Sequence, residues 1–487
     1  MSEFGSFTDF QLKSVKIYPR GGSKPVEIKQ LINTFSYVES VFAPFLSATM
    51  EVVDSGGLLQ GLPIQGAEKL EIEVLTNASE EAVVYTMVVW KVGNRYAQNQ
   101  KQAYTLGLIS QEALENEVNR VQRRLEGNPE SITKDLLNNT IKSAKTVYSE
   151  PSLFEVKFSA NNGRPFDIIS TLAIKSVSPQ AKYKEEATKK DPNAKEESGS
   201  EPTDKKGGNN AKNITGSGGF LFWESKRGYN FFAIDSMCAD SESSLKSSKL
   251  EDITWGPYYE KIANQDDGSD DRYTIYTSTF QSELDLLTSL RTGKYSSFIA
   301  FFNHSTGKYE EYIYNIQDSY DSMAHLGGQQ SISLVPTDQI SDLSKYPTKI
   351  MSFMLDHETY YNEPGIADPE DPNATNPTST ADWQKFYAAQ AIARYQLLKN
   401  QSCTIVVPGN VEICAGDKID IRLQSKLPNE EAKDENYDTE SSGVYLIREV
   451  THTYDTTVGT NGRFTTTLRL MRDSYGMKDK VSNHGTK

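Results

Sequence analysis

Two β-rich stretches at opposite ends of the chain run through the same order of strands, and no other feature limits the fold as much. Ser47-Ala48-Thr49-Met50-Glu51-Val52-Val53 matches Ser402-Cys403-Thr404-Ile405-Val406-Val407 in character. Gly66 to Val74 (GAEKLEIEV) is echoed by Gly416 to Leu423 (GDKIDIRL). Val84-Tyr85 and Tyr104-Thr105 answer Val444-Tyr445 and Phe464-Thr465, and both tyrosine-to-aromatic steps are 19 residues long. Alternation of apolar and polar residues marks these segments as half-buried strands. A repeat of this kind predicts a duplicated unit: two tube-like antiparallel β-barrels with a mixed insertion domain between them.

The first copy opens with a hairpin, Ser14–Tyr18 against Val26–Ile28 around Gly21-Gly22. After residue 110 the period changes. Leu114, Val118, Val121 and Leu125 recur at helical spacing up to Gly127, and Asn128-Pro129 starts a second helix carrying Ile132, Leu136, Leu137 and Ile141. A third helix follows Pro165. Residues 178–217 are rich in Lys, Glu, Asp, Asn, Ser and Gly, and Ala187 to Asn213 has no large apolar side chain, so the segment predicts a flexible loop. It runs into an aromatic hairpin, Phe220–Glu224 and Tyr229–Ile234, so the loop interrupts a domain. A helix is expected from Glu283 to Leu290. A hairpin at 298–314 is expected to play in the second copy the part of residues 14–28. A loop spans 360–380, and a helix from Trp383 to Leu398 is capped by Asp382.

The expected division is mainly β with an α+β insertion. Residues 1–110 form the first barrel, 111–271 the insertion domain, and 272–345 the first part of the second barrel. Residues 346–400 are loop and helix, 401–473 the remainder of the second barrel, and 474–487 a polar tail. A length of 487 residues accommodates about three domains.

Motifs for catalysis are absent from the sequence. It has no phosphate-binding loop and no Gly-x-Ser-x-Gly elbow, and His304, His325, His357, His452 and His484 are scattered without metal spacing. Asp356-His357-Glu358 and the acidic run Asp266 to Asp271 lack the geometry of a zinc or calcium site. No enzyme activity, cofactor or metal is expected. Cys238, Cys403 and Cys414 read as buried free thiols. The start has no secretory-signal pattern, and no run is long and apolar enough for a membrane-spanning helix. The net charge of −15 argues against a sequence-reading DNA binder but allows DNA to pass without sticking.

The order of parts resembles the baseplate central hub of contractile-tailed bacteriophages (the T-even type), related to the hub part of type VI secretion spikes. Three groups of residues carry the resemblance. They are Val52-Val53-Asp54-Ser55 with Leu62 to Glu68, then Pro165 to Ile169 with the hairpin Phe220 to Ile234, and the helix Trp383 to Leu398 leading to Val411–Asp417. The resemblance implies a structural protein of the virion tail, made in the host cytoplasm. It implies a homotrimer whose six similar units join a six-fold tail tube to a three-fold spike around a channel for DNA. The partners implied are a separate spike protein, tube or tube-initiator proteins and baseplate wedge proteins. The spike is expected to be another polypeptide, because the sequence stops shortly after the last barrel strand. Glu68, Glu71 and Glu73 are candidates to line the channel, equally readable as solvated outer-face residues. The competing expectation is a carbohydrate-binding or carbohydrate-active β-protein, suggested by 26 Tyr and many carboxylates.

Overall fold

In the computed structural model the described residues are all but 1–5, 21–23, 63, 78, 80, 99–100, 154, 179–181, 184–213, 216–217, 262–270, 283–284, 304–306, 329–341, 356–366, 369–370, 376–379, 427–436, 460 and 479–487. The acidic runs around His357 and Asp267, most of 178–217 and much of 360–380 lie outside them. The chain is mainly β. Its dominant feature is one large mixed sheet of fourteen strands.

Twelve of those strands form two sets of six. The first set is β1 (Phe10–Tyr18), β2 (Ile32–Ser40), β3 (Ser47–Asp54), β4 (Lys69–Thr76), β5 (Val83–Gln98) and β6 (Lys101–Ile109). In space they run β2-β3-β6-β5-β4-β1, all antiparallel. After the insertion hairpin β7 (Phe220–Ser225) and β8 (Gly228–Ala233) come β9 (Thr254–Glu260) and β10 (Thr277–Ser282). A separate sheet holds β11 (Ser296–Asn303), β12 (Lys308–Asn315) and β13 (Lys349–Leu355). The chain closes with β14 (Gln401–Pro408), β15 (Lys418–Arg422), β16 (Gly443–Asp455) and β17 (Arg463–Arg472). The second set runs β10-β14-β17-β16-β15-β9, the same order as the first. Its outermost pair, β15 and β9, is parallel where β4 and β1 are antiparallel.

Hydrogen-bond register fixes which residues correspond. Val89 accepts from Ala67 N and donates to Glu68 O, and Ile447 does the same with Gly416 and Asp417. Directly afterwards both long strands bulge, between Val89 and Lys91 and between Ile447 and Glu449. Val89 pairs with Leu108 and Ile447 with Leu470; Thr49 pairs with Gly107 and Thr404 with Arg469. Tyr85 therefore corresponds to Gly443 and Tyr104 to Thr466. The alignment of Tyr85 with Tyr445 and Tyr104 with Phe464 is two residues out, and the matching 19-residue steps are coincidental. A slip of two keeps every side chain on its own face, so the pattern could not reveal it.

Among the described residues no separate closed barrel is found. In the first set no described strand pairs β1 with β2; β2 pairs with β16 instead, which joins the sets edge to edge. Tyr454 and Phe464 from the second set complete the apolar core of the first, stacking at 4.3 Å between centroids. In the second set Thr274–Ile275 lie along β9 and the next residues along β14, so the sheet bends back on itself at Tyr276.

Other expectations meet mixed outcomes. The hairpin at 298–314 exists as β11–β12 but sits with β13 in its own sheet; the counterpart of β1 by strand order is β9. The helix expected through Leu125 is α1 (Gln111–Val118) and stops there; Arg124–Gly127 pair instead with Val156–Ser159. Val118 is 76% exposed and anchors nothing, so tertiary pairing overrides the helical spacing. Helices α2 (Pro129–Asp135) and α3 (Pro165–Lys175) begin with Pro at their first turn, as expected. A short helix, α4 (Leu286–Thr292), follows β10, capped by the Asp285 carboxylate on Thr288 N. The late helix, α5 (Thr380–Leu397), begins two residues before its expected cap. All three cysteines are buried and free, and burial pushes the Cys238 thiol up to about 12.

Candidate channel wall and the clamp behind it

Edge-to-edge fusion of the two sets gives eight consecutive antiparallel strands, β10-β14-β17-β16-β2-β3-β6-β5. This run is one four-strand block followed by its copy. Alternate residues point into the two cores: Phe35 and Tyr37 on β2, Ala48, Met50 and Val52 on β3, Val450 and Tyr454 on β16, Leu468 and Leu470 on β17. The residues between them define the opposite face. They are Thr277 and Thr279; Ser402, Thr404 and Val406; Arg463, Thr465, Thr467 and Arg469; Glu449, Thr451, Thr453 and Asp455; Thr34, Ser36, Val38 and Ser40; Ser47, Thr49, Glu51 and Val53; Ala103, Thr105, Gly107 and Ile109; and Lys91 and Gly93. Short hydroxyl side chains dominate. Ser36 and Thr453 bring their hydroxyls to 3.4 Å across the seam between the sets. Of the cations on this face, Arg469 is neutralised by Glu449 at 3.1 Å, Arg463 lies opposite Asp455 in register, and Lys91 lies opposite Gly107. Such a face offers a polyanion no cluster of cations to bind.

The three sequence candidates lie elsewhere. Glu68 is 2% exposed, and its carboxylate accepts from Gln65 N and Gly66 N, both at 2.8 Å, holding the turn before β4. Glu71 and Glu73 are on the solvent face of β4, outside the eight-strand run. Glu71 pairs with Lys69 at 2.7 Å and accepts from the Tyr18 hydroxyl. Sequence reasoning did not single out the hydroxyl face. Its signal was present as a Ser/Thr pair two residues apart in each of six strands, but neutral hydroxyls do not announce chemistry as carboxylates do.

Behind the seam the tip of the β7–β8 hairpin holds both sets. Toward the first, Glu224 accepts from Leu46 N at 3.1 Å and Ser110 Oγ at 2.7 Å, and Lys226 N donates to Glu39 at 2.6 Å. Toward the second, Trp223 Nε1 donates to Ala415 O at 2.9 Å and Arg227 forms a bidentate pair with Asp417 at 2.6 and 2.9 Å. Glu39 itself crosses the seam, accepting from Ala415 N at 3.0 Å, and burial lifts its carboxyl to about 7. His452, stacked on Tyr37 across the same seam, is pushed down to about 3 by burial and by nearby Lys226.

A second buried network ties α5 to the chain's end. Arg394 reaches Asp473 at 2.6 Å and Asp235 at 3.2 Å, and all three side chains are fully buried. Burial alone would raise the Asp473 carboxyl, but Arg394 beside it holds it well below the usual range.

Comparison with known proteins gives a likeness in fold. No family model and no curated protein matches the sequence. Among solved structures, a tail protein from Neisseria meningitidis MC58 is similar at TM-score 0.49 and 11% identity, over 96% of this chain and 97% of that one. The prophage MuSo2 43 kDa tail protein from Shewanella oneidensis is similar at 0.46 and 7%, over 96% and 99%. The E. coli c3393 protein, a component of the type VI secretion system, is similar at 0.39 and 9%, over 95% and 78%. Among the described residues no helix is long and apolar enough to cross a membrane.

Proposed function

We propose that this protein is the non-enzymatic structural hub of a contractile phage tail baseplate. Three copies surround a channel, so that six four-strand blocks meet a six-fold tail tube on one side and a three-fold spike on the other. The observation that carries this reading is the fusion of two equivalent blocks edge to edge within one chain. One polypeptide then supplies two successive sectors of a ring, and three supply six. The spike, tube or tube-initiator proteins and wedge proteins are the partners, and the virion tail is the location.

The bore is assigned to the hydroxyl face. Short neutral side chains make up most of the wall, Glu449 neutralises Arg469, and Asp455 lies opposite Arg463. The whole assembly would carry 3 × −15 = −45, which opposes lasting contact with DNA phosphates. Glu71 and Glu73 would then flank the wall on a neighbouring strand.

Mass photometry and electron-microscopy class averages test the reading together. The expected particle has a mass of 3 × 54.4 = 163.2 kDa and an open axial hole with six similar lobes. A species that stays monomeric at tens of micromolar, or a trimer without an axial opening, overturns it.

A further inference from the structure

The seam inside the chain shows how the seam between chains is made. Along β16, one edge is covered by β15 over Gly443–Leu446's pairing span and by β2 from Glu449 to Asp455. Along β5, the equivalent strand, that edge is covered by β4 only as far as Val88. From Lys91 to Gln98 no strand of the described residues lies against it. The counterpart of β2 is β10, which pairs with β14 on one edge and with no described strand on the other. The run of eight strands therefore ends, on its two sides, in the two halves of a junction it already contains once.

We infer that β10 of one copy docks antiparallel on Lys91–Gln98 of the next copy of this chain, continuing the sheet. This rests on the trimeric hub reading and specifies its interface. Register follows from the inner seam, where Ser36 faces Thr453 and Val38 faces Thr451. Carried over by strand position, Tyr96 faces Thr279, Ala97 faces Ser278 and Gly93 faces Ser282. Both strands are irregular at the same height, β5 between Gly93 and Tyr96 and β10 between Phe280 and Ser282, so the bulges oppose one another.

Exposure agrees with the assignment. Val92 corresponds to Val450, yet Val92 is 38% exposed and Val450 is fully buried. Trp90 and Tyr96, at 54% and 63%, extend the apolar surface of the same flange. An open edge strand that exposes Val92 and Tyr96 invites non-specific pairing, and a partner strand with fixed register removes that hazard. The contact is heterologous, joining two different edges, so it propagates around an axis and closes only when the rotation permits.

Paired cysteines read the register directly. Tyr96→Cys with Thr279→Cys in one chain is expected to give, on mild oxidation of the assembled protein, covalent species of two and three chains on a non-reducing gel. Each single variant should give none, the native cysteines being buried. Ser36→Cys with Thr453→Cys, the matching pair of the inner seam, should link within one chain and serves as the geometric control. A trimer by mass photometry that yields no linked chains, while the control pair links, overturns this junction and leaves the hub reading standing. A protein that stays monomeric overturns the hub reading and the junction with it.

Discussion

At the scale of single residues, the two sets share a device that neither apolar pattern discloses. A left-handed residue, Ala67 (φ 65°) or Gly416 (φ 96°), precedes an acid, Glu68 or Asp417, whose carboxylate accepts from the turn just before it. The sequence shows the glycines but not this equivalence, because one copy uses alanine in the strained position. Gly416 has no such freedom: an added Cβ would lie 2.5 Å from Trp223 Cζ2. Gly416→Ala should lower stability by about 1–3 kcal/mol in urea melts, more than Gly61→Ala, where the added carbon meets nothing. Glu39 is expected to govern a pH dependence. Its folded pKa is raised, so the stability it contributes is full below the ordinary carboxylate value and is lost as pH rises through about 7. Glu39→Gln mimics the protonated form while weakening an acceptor. Its cost in thermal melting should therefore be larger at pH 5 than at pH 8, by about 3 kcal/mol at most. An equal cost at both values would show that Glu39 does not titrate in the fold. His452 acts in the opposite direction: its lowered pKa makes stability fall as pH drops below about 6.5.

At the scale of elements, strands were legible and their offsets were not. Alternation located β3, β4, β14 and β15, whose inward residues Met50, Ile72, Ile405 and Ile419 are all fully buried. Alternation has a period of two, so it cannot choose between registers two apart. The candidate wall escaped for a related reason, since Thr and Ser on an outer face look like ordinary strand filler. Helix α5 shows a different limit. Ala389, Ala393 and Leu397 pack with the sheet of β11 and β12, and Gln390 and Arg394 are equally buried, while only the stripe of Ala388, Ile392, Tyr395 and Gln396 is half-exposed. A polar residue in its middle signals a partner that sequence cannot locate. That partner is Asp473, 79 residues on, with Asp235 beside it. Arg394→Leu leaves two buried carboxylates facing apolar surface and should cost about 3–5 kcal/mol, read as a shifted urea midpoint. A loss under 1 kcal/mol would mean that the buried ion pair contributes little to the fold.

At the scale of the whole molecule, the seam within the chain and the proposed seam between chains share strands and register but differ in backing. The inner seam is reinforced by the hairpin tip, where Trp223, Glu224, Lys226 and Arg227 grip both sets at once. That hairpin occurs once per chain, as part of the insertion and not of the repeat. Three joints of such a ring would thus be riveted and three merely zipped. If the proposed ring forms, it should yield under load at alternate joints, parting into intact two-lobed polypeptides. In the proposed trimer, a six-cornered outline would then conceal a triangular pattern of stiffness, the symmetry of the proposed spike.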